Sequence, residues 1–238
     1  MKSIVFLDFD GVLFDTVEEA YTVAVNTKMY EDKTFPEHAI DMFREYRPLI
    51  GPAWQYYYIL ESIVYHKELI PTKDFLYTEE TRAFENDFFQ SRKALKHRDF
   101  RAWIELNKKY DFLDKLKNLD KTKKDAVAFF IITTKDKQTV LDLLSINHID
   151  FISQDHIFGA KSFQQYGSKR NIIEKVLGKQ EYQAIFVDDS HKHLSLCENI
   201  RNLQLLQASW GYIDQTSPQQ YLATEDEVLS AIQTIGER

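Results

Sequence analysis

The sequence predicts an α/β fold built on a parallel sheet, and three short apolar segments are the main evidence for it. Segments 4–7, 126–132 and 184–187 are rich in β-branched and aromatic residues, which is typical of strands buried on both faces. Apolar residues with helical spacing follow over 136–144 after the second segment and over 190–200 after the third. This alternation predicts three layers, with helices on the faces of the sheet.

Weaker patterns complete the predicted α/β domain. Three shorter segments are candidate strands: 151–152, 157–158 and 203–206. The stretch 107–125 is rich in lysine and aspartate and predicts a helix with one face in solvent. Four apolar residues of that stretch are expected to face the core: Phe112, Leu113, Leu116 and Leu119.

The interval 16–107 contains no convincing strand and predicts an inserted all-helical domain. Pro36 and Pro52 suit the first turn of a helix, where the backbone N–H that proline lacks would be unpaired in any case. We therefore assign residues 1–15 and 108–238 to the α/β domain and residues 16–107 to the insert. The insert is predicted to hold four or five helices, over 17–30, 36–46, 52–67 and 78–108.

Composition places the chain among globular proteins and limits its partners. Of the 238 residues, 44% are hydrophobic and 28% are charged, and the longest apolar stretches, such as 126–132, are far shorter than a bilayer span. The single cysteine, Cys197, excludes an internal disulfide and a multi-cysteine zinc site. A net charge of −7 argues against broad nucleic-acid binding. With no signal-peptide pattern before the first strand, we expect a cytoplasmic protein without nucleic-acid or membrane partners.

Polar residues follow each of the three strong segments: Asp8 and Asp10, then Thr133 and Thr134, then Asp188 and Asp189. The carboxyl ends of parallel strands lie at one edge of a sheet, where open α/β sheets bind their ligands. Two carboxylates as close as Asp8 and Asp10 repel each other unless a cation or shared chemistry holds them together. A cluster of oxygen ligands without a group of cysteines and histidines suits Mg²⁺. The pattern therefore predicts a magnesium site at this edge.

The run 8–15, DFDGVLFD, resembles the first motif of the haloacid dehalogenase superfamily, in which two acids two residues apart precede a glycine and a later acid. Segment 130–135 is similar to the second motif, an apolar strand that ends in Thr or Ser, and 185–190 is similar to the acidic fourth motif. The third motif, a lysine, matches Lys169 at the start of a predicted helix. The order of these motifs resembles the phosphatase-like branch, which implies a Rossmann-like core with a helical cap of the C1 type inserted after the first motif.

The resemblance implies catalytic roles for the first two acids of the first motif. Asp8 is the nucleophile that takes the phosphoryl group, which gives an aspartyl-phosphate. Asp10 protonates the leaving group and then acts as the base for the water that hydrolyses the intermediate. Thr133, Thr134 and Lys169 bind phosphoryl oxygens, where negative charge builds up in the transition state.

The resemblance also implies the ligands of Mg²⁺, which are the carboxylates of Asp8 and Asp189 and the backbone carbonyl of Asp10. Asp188 is either a second ligand or a partner of one. Many relatives carry a further acid three or four residues after this pair, and that acid is missing here. Residues 191–193, His-Lys-His, follow instead, so the choice between the two acids rests on position, which favours Asp189.

Two further assignments come from the same resemblance. The active-site lysine is assigned to Lys169, with Lys161 as the alternative, because the proline that often follows this lysine in the family is absent. In the insert, 47–52 resembles the cap loop that contacts the leaving group in relatives. Arg47 and Gln55 are therefore candidate substrate contacts, while the aromatic residues around them are expected to pack inside the helical insert.

These features lead us to expect a Mg²⁺-dependent phosphatase that acts on a small phosphorylated metabolite. The identity of Asp10 supports this expectation, since dehalogenating members of the superfamily lack an acid at that position and cation-pumping ATPases carry threonine. A phosphomutase is the first alternative, because it uses the same residues and keeps the aspartyl-phosphate away from water. A non-catalytic binding or regulatory protein that has kept the fold is a second alternative. The oligomeric state is not indicated by the sequence.

Overall fold

The chain divides into two compact units. The structure is a computed structural model, and it describes residues 2–69, 72–119 and 125–236. Residues 1–15 and 109–238 form the α/β unit, and residues 16–108 form the helical unit. The boundaries expected from the sequence lie after residue 15 and after residue 107, whereas the structure divides after residues 15 and 108.

A parallel sheet is the centre of the α/β unit. The described residues contain eight strands: β1 Lys2–Leu7, β2 Phe14–Asp15, β3 Lys108–Lys109, β4 Val127–Ile132, β5 Ile157–Phe158, β6 Tyr182–Asp188, β7 Leu203–Ala208 and β8 Leu222–Ala223. Six of them form one sheet in the order β5-β4-β1-β6-β7-β8, and every neighbouring pair in it is parallel. The predicted α/β class with a parallel sheet is confirmed. Strands β2 and β3 form a separate two-stranded sheet.

The edges of the sheet differ from the sequence prediction. The candidate strand at 151–152 is wrong, because these residues form a bend that packs on the sheet. The ring of Phe151 meets the ring of Phe129 edge-on with 5.2 Å between centroids, and Ile152 is buried. At the opposite edge, β8 escaped prediction because its two residues carry no strand pattern.

In the described part of the helical unit, the one strand residue is Lys108 of β3. The helices of this unit are shorter than the sequence predicts. They are α1 Val17–Val25, α2 Ala39–Tyr46, α3 Tyr56–Tyr65, α4 Glu79–Arg98 and α5 Phe100–Glu105. The predicted helix over 78–108 is interrupted at Asp99, whose side chain accepts the N–H of Ala102 at 2.9 Å and caps α5. Pro36 and Pro52 precede α2 and α3 and do not lie in their first turns.

A buried ion pair joins three helices of the helical unit. Arg92 on α4 donates to Glu19 on α1 through Nε at 2.6 Å and Nη2 at 2.9 Å. Trp103 on α5 donates from Nε1 to the same carboxylate at 3.2 Å. All three side chains are buried, so each charge depends on its partner for compensation.

Six helices in the described residues pack around the large sheet: α6 Asp111–Lys117, α7 Lys137–Ile146, α8 Ala160–Tyr166, α9 Lys169–Leu177, α10 His191–Ser195 and α11 Glu225–Gly236. The prediction for 107–125 is confirmed over α6, where Phe112, Leu113 and Leu116 are buried, and Leu119, two residues after this helix, is buried as well. Part of that stretch, 120–124, lies outside the described residues. Together the strands and helices form the predicted three-layer arrangement.

Candidate active site

The ends of the central strands bring Asp8 to the carboxyl edge of the sheet. Strand β1 lies between β4 and β6, with Leu7 in register with Ile131 on one side and with Val187 on the other. The N–H of Asp8 donates to the carbonyl of Val187 at 2.9 Å. The N–H of Phe9 in turn donates to Oδ1 of Asp8 at 2.7 Å, so the backbone fixes this carboxylate.

Lys169 lies between two of the predicted acids. Its Nζ is 2.6 Å from Oδ2 of Asp8 and 2.6 Å from Oδ2 of Asp188. Lys169 is the first residue of α9, whose start is fixed by Ser168, because the Ser168 hydroxyl accepts the N–H of Asn171 at 3.1 Å. Burial opposes the charge of this lysine, but the two carboxylates outweigh it and raise the pKa of Lys169 above its usual range.

Asp188 is the most strongly held of the acids. It is fully buried, and it accepts the N–H of Ser190 at 2.9 Å in addition to the ammonium group of Lys169. Nδ1 of His193 lies 3.2 Å from each of its carboxylate oxygens. Burial disfavours the charge of Asp188, yet Lys169 and His193 hold its pKa below its usual range. Asp188 is therefore ionised at neutral pH.

The pKa of Asp8 is displaced in the opposite direction. Burial raises the pKa of Asp8, Lys169 offsets part of this rise, and the negative charge of Asp188 adds to it, so that the pKa of Asp8 is raised to about 6 in total. As the pH falls, Asp8 is thus the first of the two to take a proton. Two carboxylates with pKa values pushed apart are a pattern found at functional sites.

Asp189 lies against the turn that follows β1. Its Oδ2 accepts the N–H of Tyr212 at 2.9 Å. Gly11 in that turn has a φ of +83°, and a Cβ atom at this position would overlap the Asp189 carboxylate. The hydroxyl of Tyr212 donates to Oδ1 of Asp15 at 3.0 Å, and this hydrogen bond connects the segment after β7 with β2. Glycine at position 11 therefore permits the close approach of Asp189 to the turn that carries Asp10.

Asp10 has a cationic partner that the sequence reasoning missed. Nζ of Lys135 lies 3.1 Å from Oδ1 of Asp10, and the lysine side chain is buried. Lys135 follows directly after Thr133 and Thr134 in the sequence. This position next to the end of a predicted strand was the one signal that could have identified it as a residue of the site. At this edge a lysine therefore lies beside each of the first two acids of the first motif, Lys169 beside Asp8 and Lys135 beside Asp10.

The remaining sequence candidates of the α/β unit differ in their placement. Thr133 is buried at the end of β4, where its N–H donates to the carbonyl of Phe158 at 2.9 Å. Thr134 is half-buried beside it. Lys161, the alternative to Lys169, is exposed on α8. Of these two lysines, Lys169 is the one in contact with Asp8.

The donor groups fit a divalent cation. Four acids lie at this edge, Asp8, Asp10, Asp188 and Asp189, and two of the described lysines, Lys135 and Lys169, form ion pairs with members of this group. Among the described residues, one group has metal-ligand spacing, with donor atoms of Asp8, Asp188 and His193 all within 4.8 Å of one another. Carboxylate oxygens are the donors that Mg²⁺ prefers, and the excess negative charge suits its double positive charge.

Arg47 and Gln55 of the helical unit both hold one segment of backbone in place. Nη1 of Arg47 donates to the carbonyl of Ile50 at 3.2 Å. The side-chain oxygen of Gln55 accepts the N–H of Gly51 at 2.6 Å. These hydrogen bonds order the segment from Arg47 to Gln55, and contact of either side chain with a substrate stays a prediction.

Comparison with known proteins gives matches in structure. No protein-family model and no curated protein matches the sequence. A predicted phosphoglycolate phosphatase from Haemophilus somnus is 15% identical, with a TM-score of 0.67 and 97% of each chain covered. A haloacid dehalogenase-like hydrolase from Streptococcus pneumoniae is 20% identical, with a TM-score of 0.62 and coverage of 97% of this chain and 98% of that chain. Protein tyrosine kinase A from Mycobacterium tuberculosis is 18% identical, with a TM-score of 0.62 and the same coverage.

These likenesses extend over nearly the full length of both chains and concern the fold. The matched structures include proteins described as hydrolases and one described as a kinase. The fold is therefore assigned by comparison, whereas the reaction has to be argued from the side chains at the sheet edge. Among the described residues, no helix has the length and apolar character needed to cross a bilayer.

Proposed function

Because the chain has the fold of haloacid dehalogenase-like hydrolases, we propose that it is a phosphatase that hydrolyses a small phosphorylated metabolite through an aspartyl-phosphate on Asp8. The observation that supports this most directly is the 2.6 Å contact between Nζ of Lys169 and Oδ2 of Asp8 at the carboxyl edge of the sheet. A carboxylate that attacks a phosphate dianion needs nearby positive charge to offset their repulsion. Lys169 supplies that charge at the attacking group.

Asp8 and Lys169 divide the first step between them. A carboxylate oxygen of Asp8 bonds to phosphorus while the bond from phosphorus to the leaving oxygen breaks. Lys169 binds a phosphoryl oxygen and stabilises the charge that develops there. Asp188 remains ionised and holds the lysine in place, because three donors compensate its buried charge.

Asp10 carries the proton in both steps. It donates a proton to the leaving oxygen as that oxygen separates from phosphorus. In the second step it accepts a proton from the water whose oxygen bonds to phosphorus, and Asp8 is released. Thr133 and Thr134, at the end of β4, bind the remaining phosphoryl oxygens through the Thr133 hydroxyl and the loop that follows it.

Mg²⁺ is the proposed cofactor, with Asp8, Asp189 and the backbone carbonyl of Asp10 as its ligands. Bound there, it offsets the negative charge of the phosphoryl group. Asp189 is preferred over Asp188 as a direct ligand because Asp188 already accepts from Lys169 and Ser190 and lies beside His193. The group formed by Asp8, Asp188 and His193 is the competing arrangement.

The helical unit is proposed to act as the cap of this enzyme, with Arg47 and Gln55 as substrate contacts. This proposal follows from the resemblance of residues 47–52 to the cap loop of relatives and from the order that both side chains give to that loop. The expected cytoplasmic location and the absence of nucleic-acid and membrane partners stay predictions.

A substrate screen tests the proposed function. Purified protein is incubated with Mg²⁺ and a panel of sugar phosphates, alkyl phosphates and nitrophenyl phosphate, and the release of inorganic phosphate is measured. We expect turnover that depends on Mg²⁺ and is abolished in Asp8→Asn. The matched control is Asp150→Asn, which changes an exposed acid on the same unit and should leave the rate unchanged.

The same screen separates the alternatives. Conversion of one sugar phosphate into its isomer, without phosphate release, would contradict hydrolysis and favour a phosphomutase. Absence of any Mg²⁺-dependent turnover across the panel would contradict the proposal and favour a non-catalytic protein. Turnover that survives in Asp8→Asn would contradict the assigned nucleophile.

A further inference from the structure

Lys135 is a buried cation whose ammonium group lies next to the second acid of the first motif. Its side chain is 3% exposed, and its Nζ lies 3.1 Å from Oδ1 of Asp10. A buried lysine is costly unless a counter-charge compensates it, and a buried ion pair constrains the orientation of both side chains. The carboxylate of Asp10 is therefore restrained by a second element of the sheet edge.

The backbone around Lys135 is built to hold this residue in place. Its N–H donates to Oγ1 of Thr133 at 3.1 Å, and its carbonyl accepts the N–H of Ala160 at 2.9 Å. Gly159 allows this close approach, because a Cβ atom at that position would lie only 2.8 Å from the Lys135 carbonyl oxygen. Asp136 then caps α7 by accepting the N–H of Thr139 at 2.9 Å. The loop from β4 to α7 thus has little freedom to move Lys135 away from Asp10.

We propose that Lys135 is a positioning residue, which holds the Asp10 carboxyl group in the orientation from which it exchanges a proton with the leaving oxygen. This inference rests on the proposed function. Lys135 keeps its own proton throughout: the proton that reaches the leaving oxygen comes from Asp10, and the proton that Asp10 later recovers comes from the attacking water. The two lysines at the sheet edge then have separate tasks, with Lys169 serving Asp8 and Lys135 serving Asp10.

A leaving-group series tests this role, because a residue that acts through proton donation matters most when the leaving group is a poor one. Lys135→Met is compared with wild type on an alkyl phosphate and on nitrophenyl phosphate, whose leaving group needs little protonation. We expect kcat on the alkyl phosphate to fall by about 100-fold or more, the lower range of general acid–base contributions. The fall on nitrophenyl phosphate should be at least about tenfold smaller, with KM little changed on both.

Three further comparisons sharpen the test. Lys137→Met removes an exposed lysine two residues further on, at the first position of α7, and should behave as wild type on both substrates. Lys135→Arg keeps the positive charge and should recover part of the lost rate on the alkyl phosphate. In Asp10→Asn, which has no proton to give, the further change Lys135→Met should cost much less than it does in wild type, since both act on one step.

The outcomes that would overturn the inference are distinct from failure of the proposed function. Equal losses on both substrates, or independent effects of the changes at Asp10 and Lys135, would show that Lys135 does not act through Asp10. If Lys135→Met does not fold, Gly159→Ala gives the same test, since its Cβ displaces the Lys135 backbone and should produce the same dependence on leaving group. A wild-type protein inactive on every phosphate ester would instead contradict the proposed function itself.

Discussion

The ammonium nitrogen of Lys169 lies 2.6 Å from Oδ2 of Asp8, and both residues are buried. The same nitrogen lies 2.6 Å from Oδ2 of Asp188, so a single side chain links the end of β1 with the end of β6. The lysine and the other donors hold the pKa of Asp188 below its usual range, whereas the pKa of Asp8 is raised. This difference supports Asp8 as the group that reacts and Asp188 as the group that holds the lysine.

Replacement of Lys169 by methionine should lower kcat by about 100- to 1,000-fold, which is the usual effect of removing one group that stabilises charge in a transition state. The measurement is the rate of phosphate release on the best substrate of the screen. Lys161→Met is the matched control, because Lys161 is exposed on α8, and it should retain full activity. The reverse result, with activity lost in Lys161→Met and kept in Lys169→Met, would contradict the assignment of the active-site lysine.

Binding of Mg²⁺ should weaken as the pH falls through about 6. Burial raises the pKa of Asp8 to about 6, so below that pH this carboxyl group is protonated and is a poor metal ligand. Isothermal titration calorimetry with Mg²⁺ at several pH values measures the effect without any turnover. In Asp8→Asn the affinity should be low and nearly independent of pH in this range. An affinity in wild type that stays constant from about pH 7 to about pH 5 would count against Asp8 as a ligand.

The two acids after β6 should respond differently to replacement by asparagine. Asp189→Asn should lose at least about tenfold in Mg²⁺ affinity. Asp188→Asn should keep more of that affinity and instead lose stability, by about 3–5 kcal/mol, because Lys169 is left buried with less compensation. Calorimetry and urea unfolding measure the two effects. The opposite order of affinities would favour the ligand group of Asp8, Asp188 and His193.

Arg92→Met should destabilise the helical unit by about 3–5 kcal/mol, since it leaves the buried carboxylate of Glu19 without its cation. Urea unfolding monitored by tryptophan fluorescence is a suitable measurement, because Trp103 contacts the same carboxylate. Arg101→Met is the control, as it removes an exposed arginine and should change stability by less than about 1 kcal/mol. Equal small effects in both variants would contradict a structural role for the buried pair.

The elements that the sequence predicts best are those with a strong local pattern. The strands β1, β4 and β6 consist of apolar residues that are buried on both faces of the sheet. This apolar composition was enough to predict the three strands and the sheet edge at which they end. The contact between Lys169 and Asp8 could not be predicted from the spacing of residues along the chain, because α9 is far from β1 in the sequence. Its role was expected from the resemblance to a known family, and the structure brings the two side chains together.

The features that escaped prediction depend on tertiary contacts. Lys135 follows a threonine motif and looks like any loop lysine until its burial and its contact with Asp10 are known. His193 follows the acid pair at 188–189 by a few residues, and its contact with Asp188 is visible only once the short helix α10 is placed. The break between α4 and α5 depends on the cap formed by Asp99, which a continuous helical pattern conceals.

The role of Asp8 as the nucleophile is tested most directly by locating the phosphoryl group on the enzyme. Wild-type protein is mixed with substrate and Mg²⁺, quenched in acid during turnover, digested and analysed by mass spectrometry. We expect one added phosphoryl group on the peptide that contains Asp8, and none in Asp8→Asn. A phosphoryl group found on another residue, together with turnover that persists in Asp8→Asn, would contradict the proposal that Asp8 is the nucleophile.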